Sequence, residues 1–314
     1  MSVKLSVILP IYNEAENLED VLRELQSVLQ KDTSSYEMIC VDDASTDGSA
    51  EVLQRLKDTV DHLKIVCLKR HSGQTAAMAA GFSKAEGQVV AAMDADYQND
   101  PHNIPALVKK LSDGYDVVSG WRRSRRDGFV RTLFSRVANR ALALLTGIPL
   151  HDFGCTLKVY RREILQDVTL YGEMHRILPA YLAALGARIG EMKVQHRSRR
   201  FGRSKYGLGR TIRVLLDMLA VAFVLRFSQT PIRAFGGVGL IFLVGAILTG
   251  TWVVGRVLLF GGTWVSPLIF ATTVMAIAGV QFIVLGLLGE MLLWTQATSA
   301  RRRTYTVEEE NPQV

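Results

Sequence analysis

Two long stretches near the C-terminal end of the chain contain no charged residue, and they constrain the fold more than any other feature. They cover residues 234–255 and 257–289. Each is longer than the ~20 apolar residues that a helix needs to cross a hydrocarbon core of ~30 Å. The sequence therefore predicts a hairpin of two transmembrane helices, at about residues 234–257 and 266–292, with a tight turn near Phe260, Gly261 and Gly262.

Positive charge flanks this predicted hairpin at its outer ends. Four arginines precede it and three follow it: Arg210, Arg213, Arg226, Arg233, Arg301, Arg302 and Arg303. The hairpin itself offers only Arg256. The excess predicts a multi-pass protein of the inner (cytoplasmic) membrane with both termini in the cytoplasm. We expect no signal peptide, and three cysteines without framework spacing suit a reducing compartment.

The formal net charge is +7, and much of the positive charge lies between residues 122 and 233. This favours anionic lipid headgroups and phosphate-bearing substrates as partners, and it does not favour nucleic acid. Residues 130–145 combine helical apolar spacing with Arg131, Arg136 and Arg140. Such a helix either lies on an anionic bilayer surface or packs on its own domain, and residues 206–227 form a second candidate for an interfacial helix.

The first 120 residues alternate between strand-like and helix-like patterns. Apolar runs predict strands at residues 5–10, 36–41, 64–68, 88–93 and 116–119. Helical spacing predicts helices at residues 16–29, 50–56, 73–84 and 104–111. This order indicates an α/β fold with a mostly parallel central sheet of the nucleotide-binding type.

The fourth predicted strand stops at two carboxylates, Asp94 and Asp96. Side chains alternate along a strand, so Asp94, Asp96 and Gln98 are predicted to share one face at the carboxyl end of the sheet. Two adjacent carboxylates repel each other unless a cation lies between them, and oxygen ligands suit Mg²⁺ or Mn²⁺. The alternative for Asp-x-Asp alone is a solvated acidic turn.

Five motifs occur in a fixed order: LPIYNE at residues 9–14 with Asn17, VDDASTD at 41–47, DADYQ at 94–98, HDFG at 151–154 and RRFGRSKY at 199–206. Together they resemble the inverting family 2 glycosyltransferases. Within that family they are similar to the polyprenyl-phosphate glycosyltransferases, in the dolichyl-phosphate mannosyltransferase-like branch that has two C-terminal spans. The resemblance implies a GT-A (nucleotide-diphospho-sugar transferase) fold. It also implies transfer of a sugar from a UDP- or GDP-linked donor to a polyprenyl phosphate at the cytoplasmic face.

The resemblance assigns most motif residues to the donor. The residues expected to bind the nucleotide sugar are Pro10, Tyr12, Glu14, Asp43, Gly73, Asp94, Arg199 and Lys205. Asp94, Asp96 and Gln98 are expected to hold Mg²⁺ or Mn²⁺ on the diphosphate. Each has an ordinary alternative, such as a core-edge tyrosine at Tyr12 or a turn cap at one of Asp42 and Asp43.

The acceptor side is less constrained by the resemblance. It places Asp152 with Asp96 as the catalytic residues, with Asp152 near the acceptor. A phosphate monoester has a second pKa of about 6, so the acceptor oxygen is already largely ionised and needs positioning more than deprotonation. Asp152 is therefore either a base or a group that orients a cationic neighbour or the sugar. Candidate contacts to the acceptor phosphate are Arg122, Arg123, Arg126 and His175, with a solvated basic loop as the alternative for the arginines.

The predicted organisation has four parts. They are a glycosyltransferase domain at residues 1–205 with an interfacial helix at 130–146, a juxtamembrane helix at 206–230, the two spans within 231–297 and a tail at 298–314. Gly286 and Gly289 suggest close helix packing and a possible homo-oligomer. The rival functions are a processive polysaccharide synthase, whose Gln-x-x-Arg-Trp motif is missing, and a catalytically silent membrane scaffold.

Overall fold

The computed structural model describes residues 3–32, 35–122, 129–166, 168, 170, 172, 174–197, 231–261 and 267–299. The chain forms two compact units, Met1–Ala222 and Phe223–Val314. The first unit has an α/β fold built on one sheet. The described part of the second unit consists of two long helices.

Seven strands of the described residues form the sheet. They are β1 Leu5–Ile11, β2 Tyr36–Asp42, β3 Leu63–Cys67, β4 Val89–Ala92, β5 Val117–Trp121, β6 Lys158–Arg161 and β7 Ile189–Lys193. Their spatial order is β3-β2-β1-β4-β6-β5-β7, and β6 alone among them runs antiparallel to its neighbours. β1 and β2 are buried along almost their whole length, as expected for strands covered on both faces.

Helices cover both faces of this sheet. The helices of the first unit are α1 Ala15–Asp32, α2 Ser49–Lys57, α3 Gln74–Lys84, α4 Ile104–Leu111, α5 Phe129–Thr146 and α6 Met174–Ala184, of which α1, α2, α3, α4 and α6 pack on the sheet. One core contains the apolar faces of α1, α2 and α4, and the other contains those of α3 and α6. α3 packs closely on β1 because Gly81 leaves room there, and any side chain at this position would overlap Ile8.

The five predicted strands and four predicted helices of the first 120 residues are all present, with bounds that shift by a few residues. The predicted helix at residues 130–145 is α5, on which Val137 and Leu144 are exposed beside Arg136 and Arg140. Its place on a membrane surface stays a prediction. The sequence pattern did not identify β6, β7 or α6.

The second unit contains α7, Pro231–Phe260, and α8, Pro267–Ser299. Both are long and apolar enough to cross a membrane, and few of their residues are buried. They fit the predicted hairpin, and Gly261 with a φ of +66° begins the predicted turn. The predicted juxtamembrane helix at residues 206–230 lies outside the described residues.

A seam of small residues brings α7 and α8 together. A Cβ on Gly239 would lie 2.7 Å from the carbonyl oxygen of Gly279, and Thr272 donates a hydrogen bond to Thr249 at 2.9 Å. In the same seam, a Cβ on Gly286 would lie 3.1 Å from Cδ1 of Ile232, and one on Gly289 would lie 2.7 Å from Cβ of Pro231. These two glycines therefore serve packing within the hairpin, so they no longer support a homo-oligomer.

Candidate active site

The carboxyl ends of the parallel strands meet at one edge of the sheet, where the loops after β1, β2 and β4 begin. Because β6 is antiparallel, its first residue, Lys158, lies at this same edge opposite Ala92. β5 and β7 also end there, at Trp121 and Lys193. The segments next to these ends therefore approach the loop after β4. Ligands of open α/β sheets bind at such an edge.

The Asp94 carboxylate is held by side chains from two other segments. Its Oδ1 accepts a hydrogen bond from Gln74 Nε2 and its Oδ2 accepts one from Thr156 Oγ1, both at 2.7 Å. Burial, followed by the charge of Asp96, raises the pKa of Asp94 to about 6. The two carboxylates are close enough to repel each other, and a cation between them would remove that repulsion. Such a pair of oxygen donors fits Mg²⁺ or Mn²⁺.

The backbone around this acidic pair differs from the predicted strand. β4 ends at Ala92, so Asp94, Asp96 and Gln98 lie in the loop beyond it. Tyr97 has a φ of +67°, a left-handed conformation that is uncommon for an aromatic residue. Strand alternation therefore does not place these three side chains on one face, because alternation holds only for extended backbone. Gln98 as a metal ligand stays a prediction, and its backbone N–H donates to Asp96 Oδ1 at 3.1 Å.

Asp43 joins the end of β2 to the start of α3. Its carboxylate accepts hydrogen bonds from the backbone N–H groups of Ser72 at 2.7 Å and Gly73 at 2.8 Å, and it lies 2.8 Å from His71 Nδ1. The His71 ring stacks on Tyr12 with 3.9 Å between ring centroids. Gly73 has φ +90° and ψ 163°, a conformation that is essentially restricted to glycine. The structure therefore brings Tyr12, Asp43 and Gly73 together and adds His71, which no motif indicated.

Glu14 lies on the loop after β1, next to this group. Its Oε2 accepts a hydrogen bond from Asn17 Nδ2 at 2.8 Å, and its backbone N–H donates to Ser49 Oγ at 3.0 Å. Pro10 is half-buried near the end of β1. These contacts fix the loop after β1 against the segment that follows β2.

Asp152 lies on the segment before β6 and pairs with Arg122, which follows β5. Arg122 Nε donates to Asp152 Oδ2 at 2.8 Å, and Arg122 Nη2 donates to Oδ1 at 3.0 Å. The backbone N–H of Gly154 donates to the same Oδ1 at 3.2 Å. Burial opposes the charge of Arg122, but the Asp152 carboxylate outweighs this effect and raises the pKa of the guanidinium. Asp152 thus makes the contact expected of a group that orients a cationic neighbour.

Arg176 is a second cation at this position, and the motifs did not indicate it. A Cβ on Gly154 would lie 3.2 Å from Nη2 of Arg122 and 3.8 Å from Nη1 of Arg176. The two guanidinium groups therefore flank the same backbone position. Both also lower the pKa of Asp94, so their charges reach the acidic pair.

His175 is buried, with Nδ1 2.7 Å from the hydroxyl of Thr75. That hydroxyl donates its proton to the carbonyl of Gly172, so we assign the proton of the Thr75–His175 bond to Nδ1. Burial, together with the charge of Arg176, lowers the pKa of His175 well below 6.5. The ring is therefore neutral at pH 7, and its predicted contact to the acceptor phosphate stays a prediction.

Lys158 is a buried cation at the start of β6. Its Nζ donates to the carbonyls of Phe153 at 3.2 Å, Arg176 at 3.3 Å and His175 at 3.5 Å. Burial lowers the pKa of Lys158 to about 8. This side chain ties the segment before β6 to the start of α6, and so places Arg176 beside Gly154.

Four predicted site residues lie outside the described residues: Arg123, Arg126, Arg199 and Lys205. Their assignments to the acceptor phosphate and to the donor diphosphate stay predictions.

A second group of potential metal ligands lies away from Asp94. Glu24, Asp100 and His102 place ligand atoms within 4.8 Å of one another. The guanidinium of Arg197 lies among them, 2.8 Å from each Glu24 oxygen and 2.9 Å from Asp100 Oδ1. A guanidinium of the chain itself already pairs with both carboxylates, so the Asp94–Asp96 pair is the better candidate for a metal ion.

Residues 6–169 match the model of a family described as glycosyl transferase family 2. The chain is 38% identical to dodecaprenyl-phosphate galacturonate synthase of Rhizobium johnstonii, over 98% of this chain and 93% of that protein. It is 34% identical to the undecaprenyl-phosphate 4-deoxy-4-formamido-L-arabinose transferase of Photorhabdus laumondii, over 92% of this chain and 88% of that protein.

Solved structures share the fold at low sequence identity. Mannosyl-3-phosphoglycerate synthase from Rubrobacter xylanophilus superposes with a TM-score of 0.59 at 18% identity, over 72% of this chain and 75% of that one. Glucosyl-3-phosphoglycerate synthase from Mycobacterium tuberculosis, in complex with Mn²⁺, uridine diphosphate and glucosyl-3-phosphoglycerate, gives 0.54 at 21% identity, over 71% and 80%. The predicted GT-A fold is confirmed.

Proposed function

Because this chain belongs to glycosyl transferase family 2, we propose that it moves a sugar from a UDP- or GDP-linked donor to a polyprenyl phosphate at a membrane surface. One observation carries the proposal. An acidic pair, Asp94 and Asp96, and two guanidinium groups, Arg122 and Arg176, interact at a single edge of the sheet. Relatives that match over most of their length are named for reactions on dodecaprenyl and undecaprenyl phosphate, which supports the choice of acceptor.

On the donor side, we assign nucleotide recognition to the group formed by Tyr12, His71 and Asp43. The stacked rings of Tyr12 and His71 present an aromatic surface that suits a flat nucleobase. Asp43 binds both the His71 ring and the backbone N–H of Gly73, so its role is to hold this aromatic surface in place. Glu14 on the neighbouring loop offers a carboxylate to ribose hydroxyls.

Asp94 and Asp96 would hold Mg²⁺ or Mn²⁺ on the donor diphosphate. When bound, such an ion neutralises the charge that develops on the leaving diphosphate. The Asp94 carboxylate is preorganised, because Gln74 and Thr156 each donate a hydrogen bond to one of its oxygens. Preorganised ligands need no rearrangement when the donor arrives.

On the acceptor side, we assign Arg122 and Arg176 to the phosphate of the lipid. Guanidinium groups suit bidentate contact with phosphate, and two of them flank Gly154. Asp152 holds Arg122 in position and is not needed as a base, since the phosphate is already ionised. One phosphate oxygen attacks C1 of the sugar, and the bond from C1 to the diphosphate breaks. The electron pair of that bond leaves with the nucleoside diphosphate. Because the oxygen attacks the face of C1 opposite the diphosphate, configuration at C1 inverts.

The helices α7 and α8 would hold this reaction at the membrane. Their outward faces carry large apolar side chains such as Ile241, Trp252 and Phe270. The arginines that flank the hairpin favour the inner membrane, with the catalytic unit and both termini in the cytoplasm. A polyprenyl phosphate presents its headgroup at that surface, within reach of an enzyme anchored beside it.

The proposal is tested by transfer to the lipid phase. Purified full-length protein in detergent is incubated with a short-chain polyprenyl phosphate, Mg²⁺ or Mn²⁺, and a panel of radiolabelled UDP- and GDP-sugars, including uronic acids and 4-amino sugars. We expect one labelled sugar per extracted lipid and one equivalent of nucleoside diphosphate. Label that stays in water with every donor, or a polymer on the lipid, would contradict the proposal.

A further inference from the structure

Arg197, just after β7, contacts the loop that carries the acidic pair at three points. Its backbone N–H donates to the carbonyl of Gln98 at 2.9 Å. Its guanidinium carbon lies 5.2 Å from the centroid of the Tyr97 ring. Its Nη2 lies 2.9 Å from Asp100 Oδ1. One side chain and its backbone therefore bind the loop on both sides of Gln98.

The same guanidinium is anchored to α1. Arg197 Nη1 and Nη2 each donate to a different oxygen of Glu24 at 2.8 Å, which is the bidentate geometry that holds an arginine most firmly. Leu22 and Leu25, which flank Glu24 on α1, are fully buried in the core. Glu24 is therefore carried by a helix that packs on the core, and Arg197 links the loop to that helix.

The loop needs such support because its backbone is strained. Tyr97 has a φ of +67°, and conformations of this kind persist only where the surroundings impose them. From the other side, Asn99 Nδ2 donates to Thr156 Oγ1 at 3.0 Å, and Thr156 in turn donates to Asp94. Thr156 and Arg197 thus hold the loop between them.

We propose that Arg197 is a positioning residue that fixes the loop carrying Asp94 and Asp96. We further propose that the group formed by Glu24, Asp100 and His102 binds this guanidinium and is not a metal site. The inference rests on the function proposed above only where it concerns metal affinity. The positioning of the loop itself does not depend on that function.

The first test measures loop order without any metal or substrate. Hydrogen exchange of the amides of residues 94–100 is followed in the full-length protein and in Arg197→Met, Arg197→Lys and Arg23→Met. Arg23 is the matched control, because it pairs with Glu19 on the same helix at 3.0 Å and does not touch the loop. We expect exchange at least about tenfold faster in Arg197→Met, a smaller change in Arg197→Lys and none in Arg23→Met, with β1 and α1 unchanged. Equal exchange in Arg197→Met and wild type would overturn the inference.

The second test measures Mn²⁺ binding by electron paramagnetic resonance, with and without UDP or GDP. Positioning residues around metal ligands typically change metal affinity 10- to 100-fold. We therefore expect Arg197→Met and Glu24→Gln to weaken nucleotide-dependent Mn²⁺ binding by about tenfold or more, with a partial rescue in Arg197→Lys. A Mn²⁺ site in the wild type that needs no nucleotide and is lost in Glu24→Gln would show that the acids bind metal, and would overturn the second part.

The two tests separate this inference from the proposed function. If wild type transfers sugar with Mn²⁺ and Arg197→Met leaves both loop exchange and Mn²⁺ affinity unchanged, the positioning role alone fails. If Arg197→Met speeds loop exchange while wild type neither binds Mn²⁺ nor transfers sugar, the positioning of the loop stands and the proposed function fails.

Discussion

Arg122 and Asp152 form a bidentate ion pair, with 2.8 Å between Nε and Oδ2 and 3.0 Å between Nη2 and Oδ1. The pair connects the end of β5 to the segment before β6. These two parts of the chain meet at the carboxyl-end edge of the parallel strands because β6 is antiparallel. Asp152 is 1% exposed, and each of its oxygens already accepts a hydrogen bond from Arg122. Its geometry is that of a residue that orients a cation.

Asp152→Asn should therefore act through Arg122. Removal of one partner from a buried, hydrogen-bonded charge pair costs about 2–5 kcal/mol, so we expect kcat/KM for the polyprenyl phosphate to fall by about 30-fold or more. The pH–rate profile should keep its shape, because no proton is removed by Asp152. Steady-state kinetics across pH 5–9 measure both quantities.

The control for this variant is Asp116→Asn. Asp116 also pairs with arginines, Arg161 and Arg188, but it lies at the opposite end of β5. This variant should keep wild-type kinetics. Loss of the acidic limb of the profile in Asp152→Asn would instead identify Asp152 as a base.

Lys158 makes the stability of the first unit depend on pH. The folded protein holds the pKa of Lys158 at about 8, below its ordinary value of 10.5, because of burial. Between these values the unfolded chain binds more protons than the folded one, so stability should rise with pH by up to about 1.4 kcal/mol per unit. Below pH 8 both states are protonated, and the contribution to the slope disappears.

The measurement compares wild type with Lys158→Met by chemical denaturation in detergent from pH 7 to 10. Subtracting the variant removes the contribution of other groups that titrate in this range. The difference in unfolding free energy should change above pH 8 in favour of the wild type. A difference that stays flat from pH 7 to 10 would contradict the buried position of this cation.

Tyr12 should affect binding of the donor more than the chemical step. Stacking of a base on an aromatic side chain is worth about 1–3 kcal/mol, so Tyr12→Ala should raise KM for the nucleotide sugar by about 5- to 160-fold with little change in kcat. His62→Asn is a suitable control, because it removes a histidine that contacts Tyr36 edge-on at the other end of β2. An unchanged KM in Tyr12→Ala would remove Tyr12 from the donor site.

The seam between α7 and α8 should tolerate no side chain at Gly279. A Cβ there would lie 2.7 Å from Leu243 and 2.9 Å from the carbonyl oxygen of Gly239. Overpacking typically costs about 1–3 kcal/mol, so Gly279→Leu should lower the melting temperature in detergent by at least about 3 °C. Gly255→Leu is the matched control, since nothing lies within 4 Å of its added Cβ. Equal melting temperatures for the two variants would show that the seam does not form.

Hydrophobic periodicity and the order of the motifs were enough to predict most helices and strands and the fold class. Apolar runs located five strands, helical spacing located four helices, and charge-free stretches located α7 and α8. The antiparallel β6 was missed because its four residues, Lys158–Arg161, alternate too briefly to stand out and begin with a buried lysine. Yet β6 is what brings Thr156 to Asp94, and the segment before it carries Asp152 to Arg122.

The motifs predicted some residues of the candidate site and missed others that come from distant parts of the chain. Motifs indicated Tyr12, Asp43, Asp94 and Asp152, which the structure places at one edge of the sheet. They did not indicate Gln74, His71, Thr156, Arg176 or Arg197, because each of these becomes a contact only through the three-dimensional fold. His175 was predicted as a contact to the acceptor phosphate, and its neighbour Arg176 is the residue that we propose for that contact.

The central claim is that Asp94 and Asp96 hold a divalent cation against the donor diphosphate. The most direct measurement is Mn²⁺ binding, by electron paramagnetic resonance, to wild type and to Asp96→Asn in the presence of UDP or GDP. The account predicts that one nucleotide forms a tight ternary complex with wild type, and that Asp96→Asn weakens it by at least about tenfold. Equal Mn²⁺ affinity in the two proteins would contradict the claim.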